Sequence, residues 1–371
     1  MTHVVSVQPD DRRNNPLSTD NPTIRLYDFF EVHQRRQAPL VLATVVETQG
    51  STYSKAGALM LIDENGIFQG MLSGGCLEGD LAIRAQVVLE SGQSQLVTYD
   101  LAADNDELWG LGVGCDGLMR VLLQSLVNTH GYEPFATILA AFNGEEAAVV
   151  STIVESNLSS APLASTFVLL SGESRGFGAV DDIAAEVATS AAKFLEGGEA
   201  SQSLSRDGGE AQIMHRLIRP AARLLLLGGG LDAEPLVRYA SDMGWKCTVV
   251  DHRPGYLEKG DFAVADNVIC CAADELASNV ELSVYAAAVV MSHHLVSDRD
   301  YLAQLAATEI AYIGLLGPAG RRERLLSDLG AIGSKLEGRL YGPAGLDIGG
   351  RGPSAIALSI VAQLQELFAR D

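Results

Sequence analysis

The sequence predicts an α/β protein, with a mixed α/β N-terminal domain followed by a C-terminal Rossmann-like domain whose sheet is mainly parallel. Three observations carry this. The chain has 371 residues, more than one core usually holds, so about two domains are expected. From residue 222 the run ARLLLLGGGLDAEPL sets an apolar strand against the pattern Gly228-x-Gly230-x-x-Ala233 at the opening of a helix. A second strand, KCTVVD, then ends in Asp251, 18 residues past Ala233. Strand, glycine turn, helix and delayed acid form the dinucleotide-binding fingerprint: Gly228 for the tight turn, Gly230 for backbone approach to a pyrophosphate, Asp251 for a ribose hydroxyl.

Composition narrows the function classes. Hydrophobic residues make up 47% of the chain, as in proteins with filled cores. A formal net charge of -21 speaks against a nucleic-acid surface, which needs clustered Lys and Arg, and suits a basic patch on a partner protein better. The five cysteines, Cys76, Cys115, Cys247, Cys270 and Cys271, are odd in number and scattered, with no CxxC pair. Neither a disulfide framework nor a zinc knuckle is indicated, and reduced thiols of a cytoplasmic protein fit. The first twenty residues lack the apolar centre of a signal peptide, and no run reaches the length of a membrane span. The expected organisation is a flexible arm over 1–21, an N-terminal domain over 22–195, a linker over 196–214 and the Rossmann-like domain over 215–371.

In chain order, IRLYDFFEVHQRRQ has helical spacing, and PLVLATVVET reads as a buried strand followed by the polar loop QGSTYSKAG. ALMLIDENGIFQGML is a hairpin turning at Asn65-Gly66. It delivers the chain into SGGCLEGD, where Ser73, Gly74, Gly75 and Cys76 precede a helix running from Leu77 to about Leu89. Glycines allow close backbone approach, and the free N–H groups of a helix start favour an anion, so the turn reads as a phosphate cradle holding a thiol. Glu78 and Asp80 in the first turn would repel a phosphate unless they point away. The same residues also fit a plain glycine turn with a packed cysteine.

QLVTYDLA is a strand, and DNDELWGLGVGCDG is a glycine-dense loop in which Gly112, Gly114 and Gly117 bracket Cys115. Such loops form anion-binding nests. GLMRVLLQSL resumes as a strand. ATILAAF, AAVVSTIV and STFVLLS are read as three more, before a helix from about Asp182 and the polar, glycine-rich EGGEASQSLSRDGGEAQ, which reads as a linker or an exposed hairpin. In the C-terminal domain the βα alternation continues through DNVICC, AAAVVMS with His293 and Asp298 beyond it, AYIGLLG, and a helix start with Arg321 and Arg322. Ligands of open α/β sheets sit at the carboxyl ends of the strands, where His293, Asp298, Gly317 and Arg321 would join the glycine motif. Asp347 and Arg351 follow in a loop before the last helix.

Taken in this order, LATVVETQGSTYSKAG, GMLSGGCLEGD, GLGVGCDG, LLLLGGGLDAEPL, VVMSHHLVSD, YIGLLGP and GPAGLDIGGRGPSAIALSIVAQL closely resemble the XdhC/CoxI family of xanthine dehydrogenase accessory proteins, from about residue 25 to 368. The resemblance implies a two-domain, dimer-forming protein that binds the molybdenum cofactor, as molybdopterin or its dinucleotide form. It implies that the cofactor is protected while it is sulfurated with a cysteine desulfurase as donor, then passed to a xanthine dehydrogenase-type apoenzyme. By position it carries over Cys76 and Cys115 as candidate molybdenum or sulfur contacts, Gly228, Gly230 and Asp251 as the Rossmann fingerprint, and His293 and Asp298 after the fourth strand, with a nucleotide as a further candidate ligand there. Many relatives carry prolines and arginines where this chain has Tyr53-Ser54-Lys55, which leaves Lys55 as the basic candidate in that loop. The main alternative is an NAD(P)-dependent oxidoreductase with His293 as acid/base, and a third reading is a regulatory sensor that binds a nucleotide and a partner.

Overall fold

The computed structural model describes residues 22–100, 117–178, 181–206 and 208–369. It divides into one unit spanning Pro22–Pro220 and a second holding Ala221 onward. The expected arm over 1–21 lies outside the described residues, as do residues 101–116.

The first unit holds two five-stranded antiparallel sheets. Helix α1 (Pro22–Arg36) leads into β1 (Leu40–Gly50), β2 (Leu59–Asp63) and the two-residue β3 (Phe68–Gln69). Helix α2 (Glu78–Ser91) connects to β4 (Gln95–Asp100) and β5 (Gly117–Leu126), and the sheet order is β3-β2-β1-β5-β4. The chain then repeats itself. Helix α3 (Phe135–Asn143), β6 (Ala148–Ser156), β7 (Thr166–Leu170), β8 (Glu173–Phe177), α4 (Ala184–Leu195), β9 (Ser201–Arg206) and β10 (Gly209–Ile218) form a sheet ordered β8-β7-β6-β10-β9.

Register makes the two halves equivalent residue by residue. Leu42 pairs with Gln124 across β1 and β5, as Val150 pairs with Arg216 across β6 and β10; Thr44 pairs with Leu122 as Thr152 pairs with Met214. Both central strands break register at the same place, skipping Val46 in one half and Val154 in the other. Aligned this way, the strands share Val41 and Val149, Thr44 and Thr152, and Glu47 and Glu155. Val46, Leu122, Val154 and Met214 pack in one cluster with Ala164, so the two sheets meet through equivalent residues.

One reading from sequence is corrected by these elements and another is decided. ATILAAF lies in helix α3: Phe135, Ile138 and Ala141 recur at helical spacing and are buried, and Glu133 accepts from the Thr137 N–H at 3.0 Å in the first turn. An all-apolar run of this length does not tell helix from strand by pattern alone. Within 196–214, read as a linker or an exposed hairpin, the structure has the hairpin: β9 pairs with β10, which in turn pairs with β6.

The second unit is a single parallel sheet of β11 (Arg223–Leu227), β12 (Lys246–Asp251), β13 (Asn267–Cys270), β14 (Ala287–Val290), β15 (Tyr312–Leu315) and β16 (Leu340–Tyr341). Its order, β13-β12-β11-β14-β15-β16, is that of the Rossmann fold. Apolar side chains on both faces of β11 and β14 bury fully, under helices on either side. The helices that matter for the site are α5 (Ala233–Asp242), α6 (Pro254–Lys259), α7 (Leu276–Asn279), α8 (Leu295–Leu305), α9 (Ala319–Leu329) and α10 (Pro353–Phe368). Among the described residues no helix is long and apolar enough to cross a membrane.

Candidate functional site

The turn from Leu72 to Leu77 connects the first sheet to α2. Gly74 and Gly75 take positive φ, 81° and 110°, which bends the chain sharply enough to leave Cys76 half-buried against the sheet's core. Glu78 does not point away: only 2% exposed, it folds back beneath the turn. One carboxylate oxygen accepts from the N–H groups of Leu72 and Ser73, both at 2.8 Å; the other accepts from Ser73 Oγ at 2.5 Å and the Gly75 N–H at 3.0 Å. Burial pushes the Glu78 carboxyl up, and these hydrogen bonds outweigh it, so the group is held below its usual range and stays ionised. Amides expected to cradle a phosphate are thus filled by the chain's own anion. Asp80 is committed elsewhere, accepting from Tyr99 Oη and Arg84 Nε, each at 2.6 Å.

Among the described residues the other side of the turn is open. No atom of the described residues, its chain neighbours aside, lies within 4 Å of where a Cβ on Gly75 would stand, while on Gly74 it would sit 3.2 Å from the Tyr53 ring. Tyr53 and Met71 are 64% and 50% exposed, and Ser54 Oγ donates to the Met71 carbonyl at 3.2 Å. The polar loop after β1 and the cysteine turn therefore form one surface with an aromatic ring, a thioether and a reachable thiol. Gly114 and Cys115 lie outside the described residues.

In the second unit the predicted residues do gather at the carboxyl ends of the strands. Gly228, at φ 131°, is pressed against the end of β14, where a Cβ would come within 2.5 Å of the Met291 carbonyl. Gly230 has space, with His293 Cδ2 3.8 Å from a notional Cβ the sole near atom among the described residues. Asp251 is fully buried. Its Oδ2 accepts from the Gly229 N–H at 2.7 Å and Arg253 Nη2 at 2.8 Å, and its Oδ1 from the N–H and Nε of Arg253, both at 2.9 Å. All four lone-pair positions of the carboxylate are used, which leaves none for a ribose hydroxyl. Arg253 also reaches the Ser292 carbonyl at 3.3 Å and stacks over Tyr256.

Asp298 plays a similar part on the other side of Ser292. It is 1% exposed, accepts from Ser292 Oγ at 2.5 Å, and receives Nε and Nη2 of Arg321 at 3.1 and 2.6 Å. His293 stays exposed, with Nε2 2.9 Å from Asp232 Oδ2, and its φ of 58° is left-handed. Sequence reasoning missed Arg253, Ser292 and Asp232; the arginine two residues past Asp251 was the visible signal. Among the described residues no cluster of three His, Cys, Asp or Glu side chains forms a metal site.

Comparison with known proteins agrees with both halves. The XdhC and CoxI family pattern matches residues 33–100, and that of the XdhC Rossmann domain matches 224–364. A probable xanthine dehydrogenase subunit of Bacillus subtilis strain 168 is 32% identical over 330 residues, 88% of this chain and 93% of that one. The molybdenum cofactor insertion chaperone PaoD of Escherichia coli K12 is 21% identical over 351 residues, 94% of this chain and 89% of PaoD. The crystal structure of a xanthine dehydrogenase from Bacillus halodurans superposes with a TM-score of 0.75 at 29% identity, covering 94% of this chain and 96% of its own. With both domains matched and a relative of this identity aligned over most of its length, the chain belongs to the XdhC and CoxI family.

Proposed function

We propose that this protein is a molybdenum-cofactor chaperone of the cytoplasm, which holds the cofactor as cargo during sulfuration by a cysteine desulfurase and inserts it into a xanthine dehydrogenase-type molybdenum hydroxylase. The observation that carries the reading is the Cys76 turn, with a half-buried thiol on an open glycine bend beside an exposed Tyr53 ring. Its chemistry fits such a cargo. A flat pterin can lie on an aromatic face, and a thiolate is a ligand for a soft metal centre or an acceptor for sulfur. The names of the Bacillus subtilis and Escherichia coli relatives point the same way. Cys115 is proposed as a second contact, and the working form as a homodimer, on the family resemblance. The committed lone pairs of Asp251 argue against a nicotinamide oxidoreductase, since the acid that would hold the ribose serves the fold instead.

The test is molybdenum by elemental analysis and pterin by fluorescence after oxidation, on protein co-expressed with an active cofactor pathway. Stoichiometric molybdenum and pterin, reduced in Cys76→Ala with the fold unchanged, is the expected result. Protein free of both, with a nucleotide released on denaturation, would overturn it.

A further inference from the structure

The two halves of the first unit meet through reciprocal contacts. Gln124 Nε2 donates to the Ala164 carbonyl at 3.4 Å, and its equivalent Arg216 donates through Nη1 to the carbonyl of Gly57. Gly57 and Ala164 are themselves equivalents: the Gly57 N–H donates to the Val45 carbonyl and the Val45 N–H to the carbonyl of Ala58, just as Ala164 donates to Ile153 and Ile153 to Ser165, and Gly57 and Ala164 both have positive φ, 97° and 67°. Contacts in which i meets j and j meets i mark a two-fold arrangement.

The symmetry is broken in charge. Gln124 shows that an uncharged amide makes this contact, yet the other copy uses a guanidinium. Arg216 lies between the sheets, where it lines a gap of about 10 Å³ with Thr44, Gln124, Thr152 and Thr166. Burial pushes its pKa down, to about 10, so it remains a cation at neutral pH. Among the described residues no carboxylate pairs with it. Arg216 is half-buried there, and since Gln124 makes the equivalent contact, the contact alone does not require a cation. What distinguishes this side of the molecule is the loop it supports: Ser51–Ala58, which touches the cysteine turn through Tyr53 and Gly74 and through Ser54 and Met71. The matching loop of the other copy has Gln124 beneath it and no cysteine turn.

We propose that Arg216 is the counter-charge for an anionic group bound at the Ser51–Ala58 loop, beside Cys76. Within the chaperone reading, on which the ligand's identity rests, that group is the phosphate end of the pterin cofactor. The amides under Cys76 are filled by Glu78, so the phosphate is received at the neighbouring loop and the thiol is left to the cargo's metal end. Arg216 is a positioning residue, acting through the loop and its field. It supplies the charge that Lys55, exposed in that loop, provides only weakly through solvent.

The test uses the full chain with inorganic pyrophosphate as probe, read as protection of Cys76 from iodoacetamide in peptide mass maps. Wild type should show saturable protection that weakens with salt. Arg216→Gln should fold with an unchanged or higher unfolding midpoint, because Gln124 makes the same contact in the other copy, and should need roughly tenfold more pyrophosphate. Arg216→Lys, which keeps the charge, should fall between. Protection that is absent in wild type or equal in wild type and Arg216→Gln, or an Arg216→Gln chain that does not fold, would overturn the assignment. Protection in a protein that carries neither molybdenum nor pterin would keep Arg216 as an anion counter-charge and remove the cofactor reading. The converse pair of results would do the reverse.

Discussion

The Glu78 carboxylate accepts the N–H of Gly75 at 3.0 Å, and so holds the residue immediately before Cys76. With Leu72 and both donors of Ser73 bound to the same group, the shape of the cysteine turn depends on one buried anion. Removing it would leave several donors without partners. Glu78→Ala should therefore cost about 2–4 kcal/mol in urea unfolding. The turn should open more often, and Cys76 should be alkylated roughly tenfold faster than in wild type. Alkylation at the wild-type rate with native stability would show that the turn holds its shape without the carboxylate.

His215 is 3% exposed, with Nδ1 2.8 Å from Ser151 Oγ and Nε2 2.5 Å from Ser190 Oγ. In the first copy the positions equivalent to His215 and Ser151 are Leu123 and Ala43, both buried. The trio is thus a polar cross-brace of β6, β10 and α4 where the other half has an apolar core. Burial lowers the His215 pKa below that of a free imidazole. The unfolded chain then binds the proton more readily, so this contribution to stability is fully present above about pH 6.5 and is lost as pH falls through the folded value. Urea midpoints measured at pH 7.5 and 5.5 should differ in wild type. The difference should shrink in the triple variant His215→Leu, Ser151→Ala, Ser190→Ala, and an equal difference in both would assign the pH response to other groups.

What could be read from the sequence follows how local each signal is. The Rossmann half was legible because Gly228, Gly230, Ala233 and Asp251 are set by one βαβ unit, whose turn, helix and second strand are short-range features. Their roles were less legible. Asp251 was expected to face a ribose, but Arg253, two residues on, turns it inward. Glu78 was seen as a repulsion, but whether an acid points at a turn or away from it depends on rotamer and burial. The duplication is carried by register, bulge position and a few shared residues such as Thr44 and Thr152, while the side chains around them differ. Arg216 meets Gly57 across 159 positions, and only the packing of two sheets brings them together.

Asp251 and Arg253 make a testable pair. Burial raises the Asp251 carboxyl, and hydrogen bonds from Arg253 and the Gly229 N–H outweigh it, so its pKa is lowered on folding. Its contribution is present above about pH 4 and is lost as pH falls further. Arg253→Met would leave a buried carboxylate without its partner and should cost about 3–5 kcal/mol in the second unit. If the pair serves the fold alone, wild-type protein should give no saturable NADH fluorescence change. Tight NADH binding that is abolished in Asp251→Asn would restore the ribose-binding role.

His293 separates backbone from ligand. Its φ of 58° is one that asparagine adopts readily and a β-branched residue does not. His293→Asn should thus leave stability within about 0.5 kcal/mol of wild type, because the exposed contact with Asp232 contributes little. His293→Val should lose about 2 kcal/mol to strain, measured by urea unfolding. Cofactor retention then decides the rest, since the exposed imidazole lies over the glycine loop near Gly230. Retention at the wild-type level in His293→Asn would make His293 a turn residue. A severalfold loss at unchanged stability would mark the imidazole as a ligand contact of the second unit.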